Sequence, residues 1–284
     1  MRALLAGAVV AAACACGSDQ PQRRASGCQQ VGAPLFLQAV PEASGVASAG
    51  GVLWTHNDSG AAVLYSIDAS GRAMPVAVHG ADVIDGEDLT AAPCADPANA
   101  AAGEGCLYIA DIGDNQESRD RITVYVVPVP APGSASAKVT GAIHVRYPDR
   151  PHDAEALLIT TAGTFIITKD LPARVYRFAA ASDPRQPPTL TLSRTLNETV
   201  RITGAAGSSD GRWVALRSNR MLLLYTLDDF LNGRNPARID LSRFNEPQGE
   251  GVTFGTPGDL YVVSEGGGRN AAGVLTRIDC APLR

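Results

Sequence analysis

The sequence predicts an all-β fold: a single β-propeller of five four-stranded blades, closed by a strand from the N-terminal side. Three observations predict it. A polar and apolar motif returns five times along the chain, each copy is followed by two more short strands, and the last of these is built around tyrosine. The copies stand roughly 40 to 50 residues apart, the period of blades or solenoid units. Strands of four to six residues rich in Val, Ile, Leu and Tyr, punctuated by Gly, Asp and Pro, select the all-β option.

The first element of each copy reads PEASGV from Pro41, DGEDL from Asp85, DAEALL from Asp153, RITGAA from Arg201 and PQGEGV from Pro247. Aligned on the apolar residue that follows, these give two polar columns. One holds Glu42, Asp85, Asp153, Arg201 and Gln248; the other, two residues on, holds Ser44, Glu87, Glu155, Thr203 and Glu250. The second element reads LWTHND at Leu53, LYIADI at Leu107, FIITKD at Phe165, WVALRS at Trp213 and LYVVSE at Leu260. The third reads VLYSID, TVYVV, RVYRF, LLYTL and VLTRID, with Tyr65, Tyr125, Tyr176 and Tyr225 in register and Thr276 in the fifth copy.

Along the second column the spacing is about 43, 68, 48 and 47 residues, so one blade carries an insertion of roughly twenty. The insertion comprises the Ala/Gly-rich stretch between Cys94 and Cys106 and the loop GDNQESRD. The fifth copy has three strands before the chain ends, while PLFLQAV from Pro34 precedes the first copy and needs a partner. Placing that strand on the outside of the last blade closes the wheel. A six-bladed wheel is the alternative, with an irregular blade in one of the longer connections.

With 45% hydrophobic residues in 284, the chain has material for one large core, and the propeller is expected over residues 34–284. Its 29 glycines and 19 prolines suit a protein of many hairpins. Residues 1–16 read as a lipoprotein-type signal peptide: one Arg, an apolar run too short to span a bilayer, then small residues before Cys14 and Cys16. Cys16 is the expected lipidated first residue, with Cys14 and a plain cleaved signal as the alternatives, and 17–33 a short tether. The expected location is therefore the cell envelope, lipid-anchored on its periplasmic or extracellular face, with no other membrane contact. In an oxidising compartment the four remaining cysteines allow three pairings. Cys94 and Cys106 bracket one loop, and Cys28 and Cys280 flank the two ends that must meet, which selects Cys28–Cys280 and Cys94–Cys106.

A net charge of −5 spread along the chain excludes a nucleic-acid binder. The expected partner is a small anionic ligand or an envelope protein, bound by a monomer. Inner strands line a propeller's channel, and residues two apart share a face. The columns therefore place Glu42, Asp85, Glu87, Asp153, Glu155 and Glu250 around one mouth, where like charges demand neutralisation by protons, protein cations or metal. Oxygen-only donors point to Ca2+ or magnesium rather than zinc. The competing reading makes these acids ties between blades.

The second elements end on the same rim with Asp58, Asp111, Lys169, Arg217 and Glu265. Arg201, Arg217 and Lys169 break the acidic pattern, as a site for a cation together with an anionic ligand requires. In a hydrolase, His56 in THND or His152 in PHDAE would be the base, with Lys169 and Arg217 holding the substrate's anionic part. DIGDNQESRD has a calcium loop's composition without EF-hand order, which favours an Asx-bonded turn. No serine elbow is present.

EASGV, LWTHNDSG, LYSID, GEDL, LYIADIGDN and HDAEALL resemble a bacterial family of secreted propellers, the SdiA-regulated group and the neighbouring group named for esterase-like activity of phytase. The likeness runs from Glu42 to Asp279. It implies an exported propeller, calcium and phosphoesterase chemistry. A more distant similarity to gluconolactonase and senescence-marker propellers implies one divalent ion on inner-strand acids. Glu42, Glu155 and Glu250 match those positions, but the EGP-type motif and metal-binding Asn are missing.

Overall fold

A computed structural model describes residues 28–94, 105–178, 187–255, 258–268, 271–280 and 283. The segment expected as a signal, with Cys14 and Cys16, and the Ala/Gly-rich stretch 95–104 lie outside them. In chain order the N-terminal strands β1 (Cys28–Gln30) and β2 (Leu35–Leu37) precede a first blade of β3 (Ala43–Ala49), β4 (Val52–Asn57), β5 (Val63–Ile67) and β6 (Ala73–His79). The second blade comprises β7 (Gly86–Ala92), β8 (Cys106–Asp111), β9 (Ile122–Pro128) and, after the short β10 (Ser136–Lys138), β11 (Gly141–Val145). The third comprises β12 (Ala154–Thr160), β13 (Gly163–Thr168), β14 (Arg174–Arg177) and β15 (Thr191–Thr195). The fourth holds β16 (Gly204–Gly207), β17 (Trp213–Arg217), β18 (Met221–Thr226) and, beyond helix α1 (Leu227–Leu231), β19 (Ala237–Asp240). The last holds β20 (Gln248–Phe254), β21 (Asp259–Glu265) and β22 (Gly273–Cys280).

Each blade is an antiparallel sheet in sequence order, and β3, β7, β12, β16 and β20 adjoin one another in a closed ring. This is the five-bladed propeller of the sequence register. The fourth strand of the last blade comes from the N-terminal side, as expected, with Leu35 opposite Leu275 and Cys28 opposite Cys280. The pairing reaches back into the stretch expected as a tether. Both disulfides have the predicted partners, Cys28–Cys280 and Cys94–Cys106. One strand was not legible: β10 returns from the second blade to pair in parallel with the edge of the first.

Second and third strands read as nearly continuous apolar runs because each blade is packed on both faces. One apolar cluster fills each of the five blade interfaces, for example Phe165, Tyr225 and Phe230 between blades three and four. Phe230 reaches that position because Thr226 caps α1 by accepting a hydrogen bond from Asp229 N.

The inner ring is narrow. A Cβ on Gly45 would fall 2.2 Å from Leu89 N and one on Gly251 2.6 Å from Ser44 O, so glycine sets the spacing of adjoining inner strands. Four inner strands, β3, β7, β12 and β20, also begin with a register shift at the second polar column. A bulge there interrupts the ladder and re-aims the side chain it carries.

Candidate functional site

Gly86 lies opposite Asp111, Ala43 opposite Asn57, Gly204 opposite Arg217 and Gln248 opposite Glu265. The starts of the inner strands and the ends of their neighbours therefore share one rim, as the two sequence elements required. At this mouth Glu87, Asp153 and Glu155 each bring one carboxylate oxygen within 4.8 Å of the others. Glu87 is 8% exposed, and its carboxylate takes no hydrogen bond from the described residues. Burial, followed by the nearby charge of Asp85, pushes its pKa up to about 9. Asp85 lies beside it, its pKa raised by burial and then by Asp153. Both fit because residue 113 is glycine: a Cβ there would lie 2.4 Å from Glu87 Oε1 and 2.5 Å from Asp85 Oδ2.

Lys169 enters this acid group from the end of the second strand of blade three. Its Nζ bonds Glu155 Oε1 and stands 4.0 Å from Asp153 Oδ2. Asp153 is held from the other side, where its Oδ1 accepts Asp114 N at 2.9 Å. Glu250 lies across the mouth, its pKa raised to about 7 by burial. It borders a hollow of about 390 Å³ lined also by Glu155, Lys169, Arg201, Arg220 and Gln248. Glu42, expected among the metal donors, stands apart, exposed and accepting from Ser59 Oγ at 2.8 Å. It faces Asp58, whose pKa burial and then Glu42 raise to about 6. Glu265 adds to that group, its pKa raised by burial and then by Asp58 and Glu42.

Several expected site residues are turned to structural work. Arg217 is fully buried: it donates to Gly251 O at 2.9 Å and Val263 O at 2.7 Å and pairs with Glu246 at 2.7 Å. Burial keeps its guanidinium from any ligand, and Arg220 takes its expected place beside Arg201. Asp111 is 1% exposed and clamps the following loop, pairing with Arg119 at 2.7 Å and accepting from Asp85 N at 2.9 Å. The loop is the Asx-bonded turn: Asp114 accepts from Ser118 N and Arg119 N, each at 2.7 Å.

Neither histidine faces the mouth openly. His56 is 4% exposed, its Nδ1 lies 2.8 Å from Asn57 O, and burial lowers its pKa. His152 is fully buried, with Nε2 2.8 Å from Tyr176 Oη and 3.1 Å from Asp149. A base position at the rim is closed to both by this packing.

One central residue was missed. Asp88 fills the channel below the mouth and is fully buried. It accepts from Leu89 N at 2.8 Å, from Leu157 N at 2.9 Å and from Ala205 N at 3.2 Å, tying blades two, three and four. Burial pushes its pKa up to about 7 against the pull of those three donors. Its signal was available: in the column after the second polar one, Asp88 replaces Gly45, Ala156, Gly204 and Gly251.

Neither the family models nor the curated proteins match this chain. Solved structures do. The major Malassezia sympodialis allergen Mala s 1 is similar at TM-score 0.58 and 9% identity over 88% of this chain and 97% of that one. The apo-form of the soluble aldose sugar dehydrogenase from Escherichia coli gives 0.52 and 14% over 87% and 99%. The PQQ-bound aldose sugar dehydrogenase from Streptomyces coelicolor gives 0.50 and 9% over 89% and 97%. Likeness at such identity concerns the propeller fold alone.

Proposed function

We propose that this protein is an exported propeller that binds a small anionic ligand together with a calcium ion at its acidic mouth. The observation that carries the reading is the group of Glu87, Asp153 and Glu155, one carboxylate oxygen of each lying within 4.8 Å of the others, with Glu87 buried and its carboxylate without a hydrogen bond. Calcium takes hard oxygen donors at about 2.3–2.6 Å, so two oxygens on one ion lie no more than about 5 Å apart. The donor set fits that ion. Arg201 and Arg220 line the adjoining hollow and suit a carboxylate or phosphate.

The scaffold reading, in which column acids tie blades together, holds for Asp153 of the first column, which accepts Asp114 N from blade two, but is weakened by what the second column does. Its hydroxyls make the ties: Ser44 Oγ donates to Glu87 O at 2.6 Å and Thr203 Oγ1 to Gly249 O at 2.9 Å. The acids at equivalent positions do not. Hydrolysis of the phosphoesterase kind, implied by the SdiA-regulated and phytase-type resemblance, loses the two histidines expected as its base, since His56 and His152 are packed away from the mouth. Binding is therefore favoured over catalysis.

Export and lipid anchoring through Cys16 belong to the same reading, supported by the ACACGSD junction and by two disulfides that suit an oxidising compartment. Palmitate-analogue labelling that persists in Cys16→Ser would remove that anchor. For the site, calcium is titrated calorimetrically into chelator-treated protein, parent against Glu87→Gln and Glu155→Gln, followed by phosphate esters and lactones. The expected result is binding that weakens at least about tenfold in each variant. A parent that binds no calcium ends the reading.

A further inference from the structure

Among the side chains at the mouth, Lys169 belongs to two environments at once. Its backbone is fixed, donating from N to Asp153 O at 3.0 Å, while its ammonium bonds Glu155 and stands 4.0 Å from Asp153 Oδ2. Its charge offsets part of the effect of burial, which raises the pKa values of Glu87, Glu250 and Glu265. Yet the side chain is 30% exposed and lines the hollow together with Arg201 and Arg220. The other lysine of the chain, Lys138, lies on β10 at the edge of blade one.

We propose that Lys169 is an exchangeable counterion: it holds the metal position in the absence of calcium and is expelled into the arginine-lined hollow when calcium enters. This rests on the calcium reading above. An ammonium on the Glu155 carboxylate competes with calcium within a group only 4.8 Å across, since calcium needs oxygens at about 2.3–2.6 Å and repels an ammonium at that distance. The divalent ion brings twice the charge to the same carboxylates. The lysine's four-carbon stem lets the head move while the backbone stays bonded. In the hollow it becomes the third cation facing an anion, beside Arg201 and Arg220. Calcium therefore raises affinity for the anion, and by linkage the anion raises affinity for calcium by the same factor.

The test uses the two lysines as their own control. Protein carrying ε-15N-lysine is titrated with calcium, and the Lys169 ammonium signal is expected to move while that of Lys138 stays. Calorimetry on the parent and Lys169→Met is expected to show calcium binding at least about fivefold tighter in the variant. Glycerol phosphate should bind the parent at least about fivefold tighter with calcium than without, and that gain should shrink in Lys169→Met. Calcium binding with an unmoved Lys169 signal overturns the exchange and leaves the calcium site standing, as does equal calcium affinity in parent and variant. An undiminished phosphate gain in Lys169→Met overturns the transfer to the hollow. Calcium binding in Lys169→Met alone means that calcium does not expel the lysine and overturns the exchange, and no binding in either protein overturns the site and the exchange together. Melting within a degree or two of the parent certifies that the variant is folded.

Discussion

Removing the Asp88 carboxylate should destabilise the wheel at its centre. In Asp88→Ala three backbone N–H groups lose their acceptor, and two of them, on Leu157 and Ala205, belong to other blades. A buried donor left without a partner costs about 1–3 kcal/mol. The two inter-blade donors therefore set a loss of about 2–6 kcal/mol. Relief from burying a carboxyl offsets part of this, for its raised pKa records an unfavourable environment for the charge. A net loss of about 3 kcal/mol is expected, or a fall in Tm of about 6–12 °C for a domain of this size. Asp88→Asn keeps one oxygen acceptor and should lose about half as much. Urea unfolding followed by the fluorescence of Trp54 and Trp213 measures both. An Asp88→Ala protein within about 0.5 kcal/mol of the parent would refute the claim that this carboxylate ties the blades.

Arg217→Met leaves Glu246 buried and uncompensated, so about 3–5 kcal/mol should be lost, and Arg217→Met combined with Glu246→Leu should recover most of it in the same assay. Cys28→Ser opens a bridge spanning 252 residues, with a chain-entropy loss of up to ~5 kcal/mol, whereas Cys94→Ser opens one spanning 12 and should cost less; thermal melts rank them. His56 titrates below 6.5 in the fold, so its contribution to stability is full above pH 6.5 and declines as pH falls toward the folded value. Melts at pH 7.5 and 5.5 should therefore show a smaller acid loss in His56→Gln than in the parent. Calcium at a hundred times its Kd should add about 2.7 kcal/mol, a Tm rise of about 5–10 °C that Glu155→Gln cuts to about half or less.

The blades were legible because two simple periodicities coincide in them. Period-two alternation marks the inner strands, and repetition of the tyrosine strand fixes the register, so Tyr65, Tyr125, Tyr176 and Tyr225 all fall on third strands. Closure was legible because a strand without a partner and a blade short of one occurred at opposite ends of the chain. The site was legible as columns but not as contacts. Lys169 and Arg217 end equivalent strands, and what separates them is Glu246, a residue just ahead of the next blade that draws Arg217 into the core. Asp111 turns to structural work for the same reason: its partner Arg119 lies across a loop whose turn is fixed by Asp114. Parallel pairing of β10 was invisible because it depends on where a connection passes in space.

The second polar column separates architecture from function within one structural position. Ser44 and Thr203 show that a short hydroxyl there suffices to bond the adjoining inner strand. Glu87, Glu155 and Glu250 occupy the same position in the other blades and are as deeply buried. Burial raises the pKa values of Glu87 and Glu250, so the fold gives up stability to keep carboxyl groups there. Residues that oppose folding persist where something outside the folding balance uses them. A cation is the partner that reverses the sign: it turns the mutual repulsion of Glu87, Asp153 and Glu155 into a shared attraction, and the basic side of the mouth then meets an anion without opposing the acids.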